Sequence, residues 1–191
     1  MVYFIASPEN PTERYLYKTR ANGKGKLERV TPRILEGSHN YQISSKANYA
    51  FHSFSNYFTR PMQAVISLPE HRFINQDHDM IKKYDSSKKQ NHPLEFFEIT
   101  TEDNVTMEGW IVKPKDLDKN KKYPVLFYFY SEPAGQTGVN RYGAGYNSLY
   151  NGNLGEDGYV YVIFDGRVTP SPKGRAWRKA IYRKKNKIYK S

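Results

Sequence analysis

Cysteine is absent from the 191 residues. Its absence removes disulfides, thiolate zinc ligands and thiol nucleophiles from consideration, while saying little about compartment. Long apolar runs are lacking too, and none approaches the roughly 20 residues that a membrane-spanning helix needs. The opening MVYFIASPEN has no basic segment and too short an apolar stretch for a signal peptide, so no part of the sequence assigns a localisation. Hydrophobic residues make up only 38% of the chain, and the mean hydropathy is −0.83. Aromatic residues, by contrast, reach 15%, with 17 tyrosines. That excess points to a strand-rich fold with tyrosine tips in water rather than to disorder. The length suits one ordinary domain or parts of two.

Acidic residues are scarce at one end. Lys173–Ser191, KGRAWRKAIYRKKNKIYKS, holds nine Lys and Arg and no acid, which accounts for most of the net charge of +11. A basic tail attracts phosphate without specificity. No nucleic-acid recognition module surrounds it, so a solvated tail is expected and a nucleic-acid partner is not. Metal-site spacing is also missing. His71, Asp77, His78 and Asp79 fit no common ligand frame, His39, His52 and His92 join no such frame, and neither a metal nor a cofactor is expected. NGKGK lacks the phosphate-loop pattern and reads as a turn.

What is present divides at a change of texture. Residues 1–78 read as short strands separated by turns: VYFIAS, RYLYKTR, an Asn22-Gly23 hairpin turn, KLERVT, NYQISS, YAFHSFS, QAVISL and RFIN. Such spacing suits a sandwich, a barrel or propeller blades. Residues 79–93 are charged and rich in Ser and Lys, a linker with a short helix around Met80 to Tyr84. From residue 94 a second strand set begins with a hairpin turning at Glu102-Asp103-Asn104. YPVLFYFY and GYVYVIFDGR follow as nearly continuous apolar runs, the pattern of strands buried on both faces. The long connection between them, with a weak helical core near Leu149, Tyr150 and Leu154, suggests a parallel α/β unit. Ala176, Trp177, Ala180 and Ile181 fall on one helical face beyond it. The fold expected is thus mixed β and α/β.

Tyr130 ends the first of those apolar runs, at Tyr130-Ser131-Glu132-Pro133. In an open α/β sheet, functional groups gather at the carboxyl ends of strands. A phenol there stays neutral at pH 7 and is able to stabilise a developing oxyanion. It equally suits a plain strand cap with its hydroxyl in water. The nucleophile such a donor would serve is missing. A hydrolase of this topology places its serine in a Gly-x-Ser-x-Gly turn, and no serine here sits between such glycines. Gly37-Ser38-His39 lacks the second glycine, and Ser131 is flanked by Tyr130 and Glu132.

Several linked stretches, in order, carry a resemblance. VYFIASPENPTERYLYKTRANGKG, EGSHNYQISSKANYAFHSFSNYFTRP, FFEITTEDNVTMEGWIVKPKDLDKNKKYPVLFYFYSEPAGQ and FDGRVTPSPKGRAWRKAIY together resemble the dipeptidyl peptidase IV branch of the prolyl oligopeptidase family of serine peptidases. The resemblance reaches to about Tyr182. It implies the last blade or blades of a β-propeller over residues 1–78, then the N-terminal part of an α/β-hydrolase sheet over residues 94–182. It implies a peptide substrate cleaved after a penultimate Pro or Ala, and an oxyanion-donor role for Tyr130. The triad Ser, Asp and His find no counterparts in the chain. Val168 stands where the family pattern has a glycine after Asp165-Gly166-Arg167. Residues 183–191, RKKNKIYKS, depart abruptly from the pattern and read as out-of-frame text, so the chain is expected to be a gene fragment, inactive alone. A non-catalytic β-rich binding or structural module is the competing expectation.

Overall fold

The computed structural model describes residues 1–74, 80–88, 94–130, 132–180 and 182. The chain forms two compact units, Met1–His92 with Asn140–Ala144, and Pro93–Val139 with Gly145–Ser191. It is mostly β-sheet, with three sheets and two short helices among the described residues. No helix among them is long and apolar enough to cross a membrane.

In the first unit, β1 (Val2–Ala6), β2 (Tyr15–Thr19) and β3 (Glu28–Arg29) form an antiparallel sheet in that order. The expected Asn22-Gly23 turn is present. Gly23 takes φ +72° and its N–H donates to the Arg20 carbonyl at 3.1 Å, a left-handed backbone that glycine adopts without steric cost. KLERVT shortens to two strand residues. Past Arg29 the Thr31 hydroxyl oxygen accepts the Leu16 N–H at 2.8 Å, so a side chain replaces the next rung of the ladder.

A four-stranded antiparallel meander follows: β4 (Ser38–Ile43), β5 (Tyr49–Ser55), β6 (Met62–Ser67) and β7 (Arg72–Phe73). Both alternating faces of YAFHSFS contain aromatic rings, so periodicity alone left its inward face open. The structure turns Ala50, His52 and Phe54 inward and leaves Tyr49 and Phe51 exposed. Leu16, Val30, Ala50, Ile66 and Leu68 pack as one cluster; Leu35, Phe54, Ala64 and Tyr84 pack as another. Tyr84 belongs to α1 (Met80–Lys88). The helix foreseen within the charged stretch therefore carries an anchor, since the Tyr84 ring is fully buried, 5.6 Å from Phe58 and 6.0 Å from Phe54. Residues 75–79 and 89–93 of the expected linker lie outside the described residues.

The second unit holds β8 (Leu94–Thr100), β9 (Thr106–Val112), β10 (Val125–Tyr130) and β11 (Val160–Asp165), in spatial order β10-β11-β9-β8. The β8–β9 hairpin turns through residues 101–105, with Asn104 at φ 59°. β10 and β11 are parallel, from Val125↔Val160 to Tyr130↔Asp165, as the long connection suggested. Gly109 of β9 lets the neighbouring backbone close in, because a Cβ there would stand 2.2 Å from the Ile163 carbonyl oxygen.

Two expectations fail here. The weak helix near Leu149 to Leu154 is a run of turns. Asn147 Oδ1 accepts the Leu149 N–H at 2.9 Å and Asn153 Oδ1 accepts the Gly155 N–H at 3.2 Å, local bonds that offer the backbone an alternative to helix. β10 is not buried on both faces. It is the end strand of its sheet, and Val125 through Phe129 are 37–64% exposed. The other long run behaves as expected, with Tyr161, Val162 and Ile163 buried between β10 and β9.

An apolar end strand with free edge groups is a template for pairing with another chain. The isolated chain is therefore expected to self-associate on expression, and Phe127→Lys, which charges the face shared by Val125 and Phe129, is expected to return material to the soluble fraction. Analytical ultracentrifugation of both proteins checks this. A wild-type monomer with a sharp cooperative melt at about 100 μM would contradict it.

Candidate active-site strand ends

Tyr130 and Asp165 are register partners at the carboxyl ends of the parallel pair β10 and β11. Side chains at such ends face the region where an open α/β sheet builds its sites. The half-buried Tyr130 donates its hydroxyl to Glu132 Oε2 at 3.3 Å. Partial burial, then the charge of Glu132 and that hydrogen bond, raise the phenol pKa above its ordinary value. The group is a neutral donor, and its acceptor is an exposed carboxylate at a distance long for an O–H···O bond. Gly135 lies over the same ring, where a Cβ would come within 3.3 Å of Tyr130 Cε1. A side chain at position 135 would thus press on the phenol.

The turn that carries Glu132 and Gly135 is held from beneath by a buried carboxylate. Asp165 is 1% exposed and accepts three hydrogen bonds: Thr137 N–H at 2.6 Å, Thr137 Oγ1 at 2.8 Å and Gly138 N–H at 2.9 Å. Burial pushes its carboxyl pKa up, and the Thr137 and Gly138 donors act against that rise. Trp110, from β9, donates its indole N–H to the Thr137 carbonyl at 3.3 Å. Two strands therefore grip the turn that follows Tyr130. Sequence reading singled out Tyr130 and missed Asp165, whose signal was an acid at the end of an apolar strand in the FDGR stretch.

Beyond β11 the chain is fastened by charge. Arg167 Nη2 donates to both carboxylate oxygens of Asp103, and this bond holds the Asp103 pKa below its usual range. The Lys173 ammonium donates to the buried Glu108 and to the Thr106 carbonyl, and it sits 4.5 Å from the Trp177 ring centre. Trp177, in α2 (Gly174–Lys179), donates to the Thr169 carbonyl at 2.9 Å. α2 has no buried residue; Ala180 is its C-cap, and Ile181 lies outside the described residues. Val168 is 1% exposed at φ 77°, a conformation that a β-branched residue adopts only under strain and glycine adopts freely.

His39, His52 and His71 belong to the first unit and meet one another there. Asp77, His78, Asp79, His92 and Ser131 lie outside the described residues. Among the described residues no group of His, Asp and Glu is arranged to hold a metal ion.

Comparison with known proteins gives four matches. Residues 1–61 match the family model described as the dipeptidyl peptidase IV (DPP IV) N-terminal region. The chain is 33% identical over 173 residues to the probable dipeptidyl-aminopeptidase B of Botryotinia fuckeliana (strain B05.10), covering 88% of this chain and 18% of that protein. It is 31% identical over 186 residues to the probable dipeptidyl-aminopeptidase B of Talaromyces marneffei, covering 95% of this chain and 20% of that protein. The crystal structure of Porphyromonas gingivalis dipeptidyl peptidase 4 superposes with a TM-score of 0.77 and 26% identity, covering 98% of this chain and 26% of that one. The chain thus spans about a fifth of the length of the curated relatives it matches.

The strain at Val168 makes a quantitative expectation. Burying a valine contributes about 1.5–3 kcal/mol, and releasing an L-residue from the left-handed region returns about 1–2 kcal/mol. With the added freedom of glycine counted, Val168→Gly is expected to cost about 1.5 kcal/mol. Val162→Gly, in unstrained β11, is expected to cost about 3 kcal/mol, from the lost packing and the added freedom of glycine. Urea unfolding in the Phe127→Lys background, followed by tryptophan fluorescence, separates the two. Both tryptophans, Trp110 and Trp177, lie in the second unit and report on it alone.

Proposed function

This chain belongs to the dipeptidyl peptidase IV family of peptidases, and we propose that it carries one working part of such an enzyme: the end of the propeller and the start of the hydrolase sheet, with Tyr130 as an oxyanion donor. In this reading residues 1–78 are propeller blade, 79–93 are linker, 94–182 begin the α/β-hydrolase domain and 183–191 are a basic tail. The whole enzyme would hydrolyse peptides after a penultimate Pro or Ala. The observation that carries the reading is the parallel pair β10–β11, which ends on a neutral phenol beside a turn pinned by buried Asp165.

The chemistry follows from the donor. When a nucleophile adds to a peptide carbonyl, negative charge collects on the oxygen. A fixed hydroxyl aimed at that oxygen stabilises the transition state more than the ground state. Tyr130 is held for this by the strand behind it and by Gly135 over its ring, and its long bond to the exposed Glu132 is open to exchange for the developing oxyanion. Nothing in the donor forms the acyl bond. That step needs a serine with a histidine base, and no serine of the 191 residues lies in a Gly-x-Ser-x-Gly turn. The 191-residue polypeptide by itself is therefore inert toward peptides in this reading.

Two measurements test it. Incubated with an X-Pro chromogenic substrate, the 191-residue chain is expected to release dye at the buffer rate. Release that an active-site serine reagent abolishes would overturn the assignment. In a full-length protein containing this segment and a complete triad, Tyr130→Phe is expected to lower kcat by about 10²–10³-fold. Unchanged turnover there would make Tyr130 an ordinary strand cap.

A further inference from the structure

Three of the five histidines in this chain are buried against one another, on the inward face of the β4–β7 sheet. His39, His52 and His71 are 4%, 0% and 4% exposed. The His39 and His52 rings stack at 5.1 Å, His52 stacks on Tyr41 at 4.4 Å, and His71 meets the edge of His52 at 4.8 Å. Phe54 closes the stack on His39 at 4.6 Å, and Phe73 stands 5.7 Å from His71.

Their hydrogen bonds are consistent with three neutral rings. His39 Nε2 lies 3.1 Å from the Leu35 carbonyl, which only accepts, so this nitrogen carries the proton. His39 Nδ1 is then an acceptor, and His52 Nε2–H donates to it at 2.8 Å. His52 Nδ1 is left with a bare lone pair and has no partner. The Tyr41 hydroxyl stands between His71 Nε2 at 2.9 Å and Thr31 Oγ1 at 2.8 Å, and it serves either neutral tautomer of His71. A first proton on the His39–His52 pair forces an N–H onto the unpartnered His52 Nδ1. A second sets two N–H groups against each other across 2.8 Å.

We propose that this cluster is an acid-triggered release: the β4–β7 sheet stays closed only while His39, His52 and His71 are all neutral, and mild acid opens the first unit by protonating them. The chemistry around the cluster supplies no counter-charge. Tyr15 of β2 meets His39 in a tilted contact at 5.6 Å, as a neutral phenol. Arg29 of β3 lies 3.4 Å over the Tyr15 ring, and its positive charge opposes protonation of His39. Glu13 accepts hydrogen bonds from the Tyr15 hydroxyl and, at 2.9 Å, from Asn140 Nδ2; it is engaged away from the imidazoles. Arg72 of β7 and Lys82, Lys83 and Asp85 of α1 are exposed. Among the described residues no carboxylate bonds a histidine ring nitrogen. Burial, reinforced by neighbouring imidazoles, lowers the pKa of His39 to about 3 and that of His52 to about 2; burial lowers that of His71 to about 4.

The sign follows from linkage. An imidazole whose folded pKa lies below its unfolded value of about 6.5 contributes stability that is complete above pH 6.5 and is lost as the pH falls from there toward the folded pKa. Each such ring takes up one proton on opening, so each makes opening about tenfold easier per pH unit. Between pH 6 and pH 5 uptake by the unfolded rings is still incomplete at the upper end, so each ring contributes about eightfold and three rings make opening several hundredfold easier, on the order of 500-fold. Glu13 runs the other way, since burial first of all raises its folded pKa. Its contribution therefore favours the closed state at low pH and does not produce the release.

Hydrogen–deuterium exchange of the full 191-residue chain carrying Phe127→Lys, corrected for intrinsic rates, tests the proposal without reference to peptidase activity. Peptides spanning 38–55 and 62–73 are expected to lose protection by about a hundredfold or more from pH 6 to pH 5, the three rings working against Glu13, or to reach the unprotected limit. Peptides spanning 94–112 and 160–165 are expected to change less than tenfold and serve as the reference. His71→Asn removes one titrating ring at a position with φ 55°, which asparagine tolerates, and is expected to make the loss from pH 6 to pH 5 about eightfold smaller. If that variant is already unprotected at pH 7.5, the slope of the protein with all three histidines decides alone. Flat protection in the first unit down to pH 5, a loss no larger than that of the reference peptides, or an unchanged slope in a folded His71→Asn would each overturn the proposal.

Discussion

A polar group buried away from water must be hydrogen-bonded, and a buried ionisable group must also hold the protonation state its partners demand. This chain fills its interior with such groups. His39, His52, His71, Glu13, Glu108 and Asp165 are all buried, in cores whose aliphatic clusters are small. The sheets bring the backbones together, and the buried polar side chains decide the register and direction of the loops between them. Asp165 shows this most directly. Its three donors come from consecutive residues of one turn, and the turn determines what surrounds Tyr130.

The two units solve the constraint differently. In the second, charge is paired: Lys173 reaches Glu108, Arg167 reaches Asp103, and Asp165 collects backbone and hydroxyl donors. In the first, charge is largely excluded from the centre of the sheet, and neutral imidazoles are stacked like aromatic rings. Paired charges tolerate a broad pH range as long as both partners stay ionised. Stacked neutral imidazoles have a narrow margin, because their unfolded pKa lies within two units of neutrality.

Much of the architecture was legible in the sequence. Alternating short runs marked the β-rich first unit, and two apolar runs separated by a long connection marked the parallel pair. The family relation was legible in ordered motifs, and the strained Val168 sits where that pattern has a glycine. Other features were hidden for definable reasons. Apolar content cannot distinguish a central strand from an end strand, since neighbours and not composition decide exposure; β10 was misread on that account, and β11 was not. Asn147 and Asn153 redirect their own backbone, so the faint helical spacing of Leu149 and Leu154 had no force. Tyr84 was one apolar residue in a charged stretch, and only its packing against Leu35, Phe54 and Ala64 made it an anchor.

At the candidate site the division is sharper. By itself the sequence determined that a tyrosine ends an apolar strand before Glu132-Pro133, and that no serine stands in a nucleophile turn, because both are statements about neighbours along the chain. Which groups support that tyrosine was decided only by tertiary structure. Asp165 lies 35 positions further on and becomes its neighbour through parallel pairing; His71 lies 32 positions from His39 and joins its cluster through a meander. Separation along the chain carries no trace of either meeting. Burial and hydrogen-bond geometry, which set the protonation of these groups, come into existence only when the strands pair.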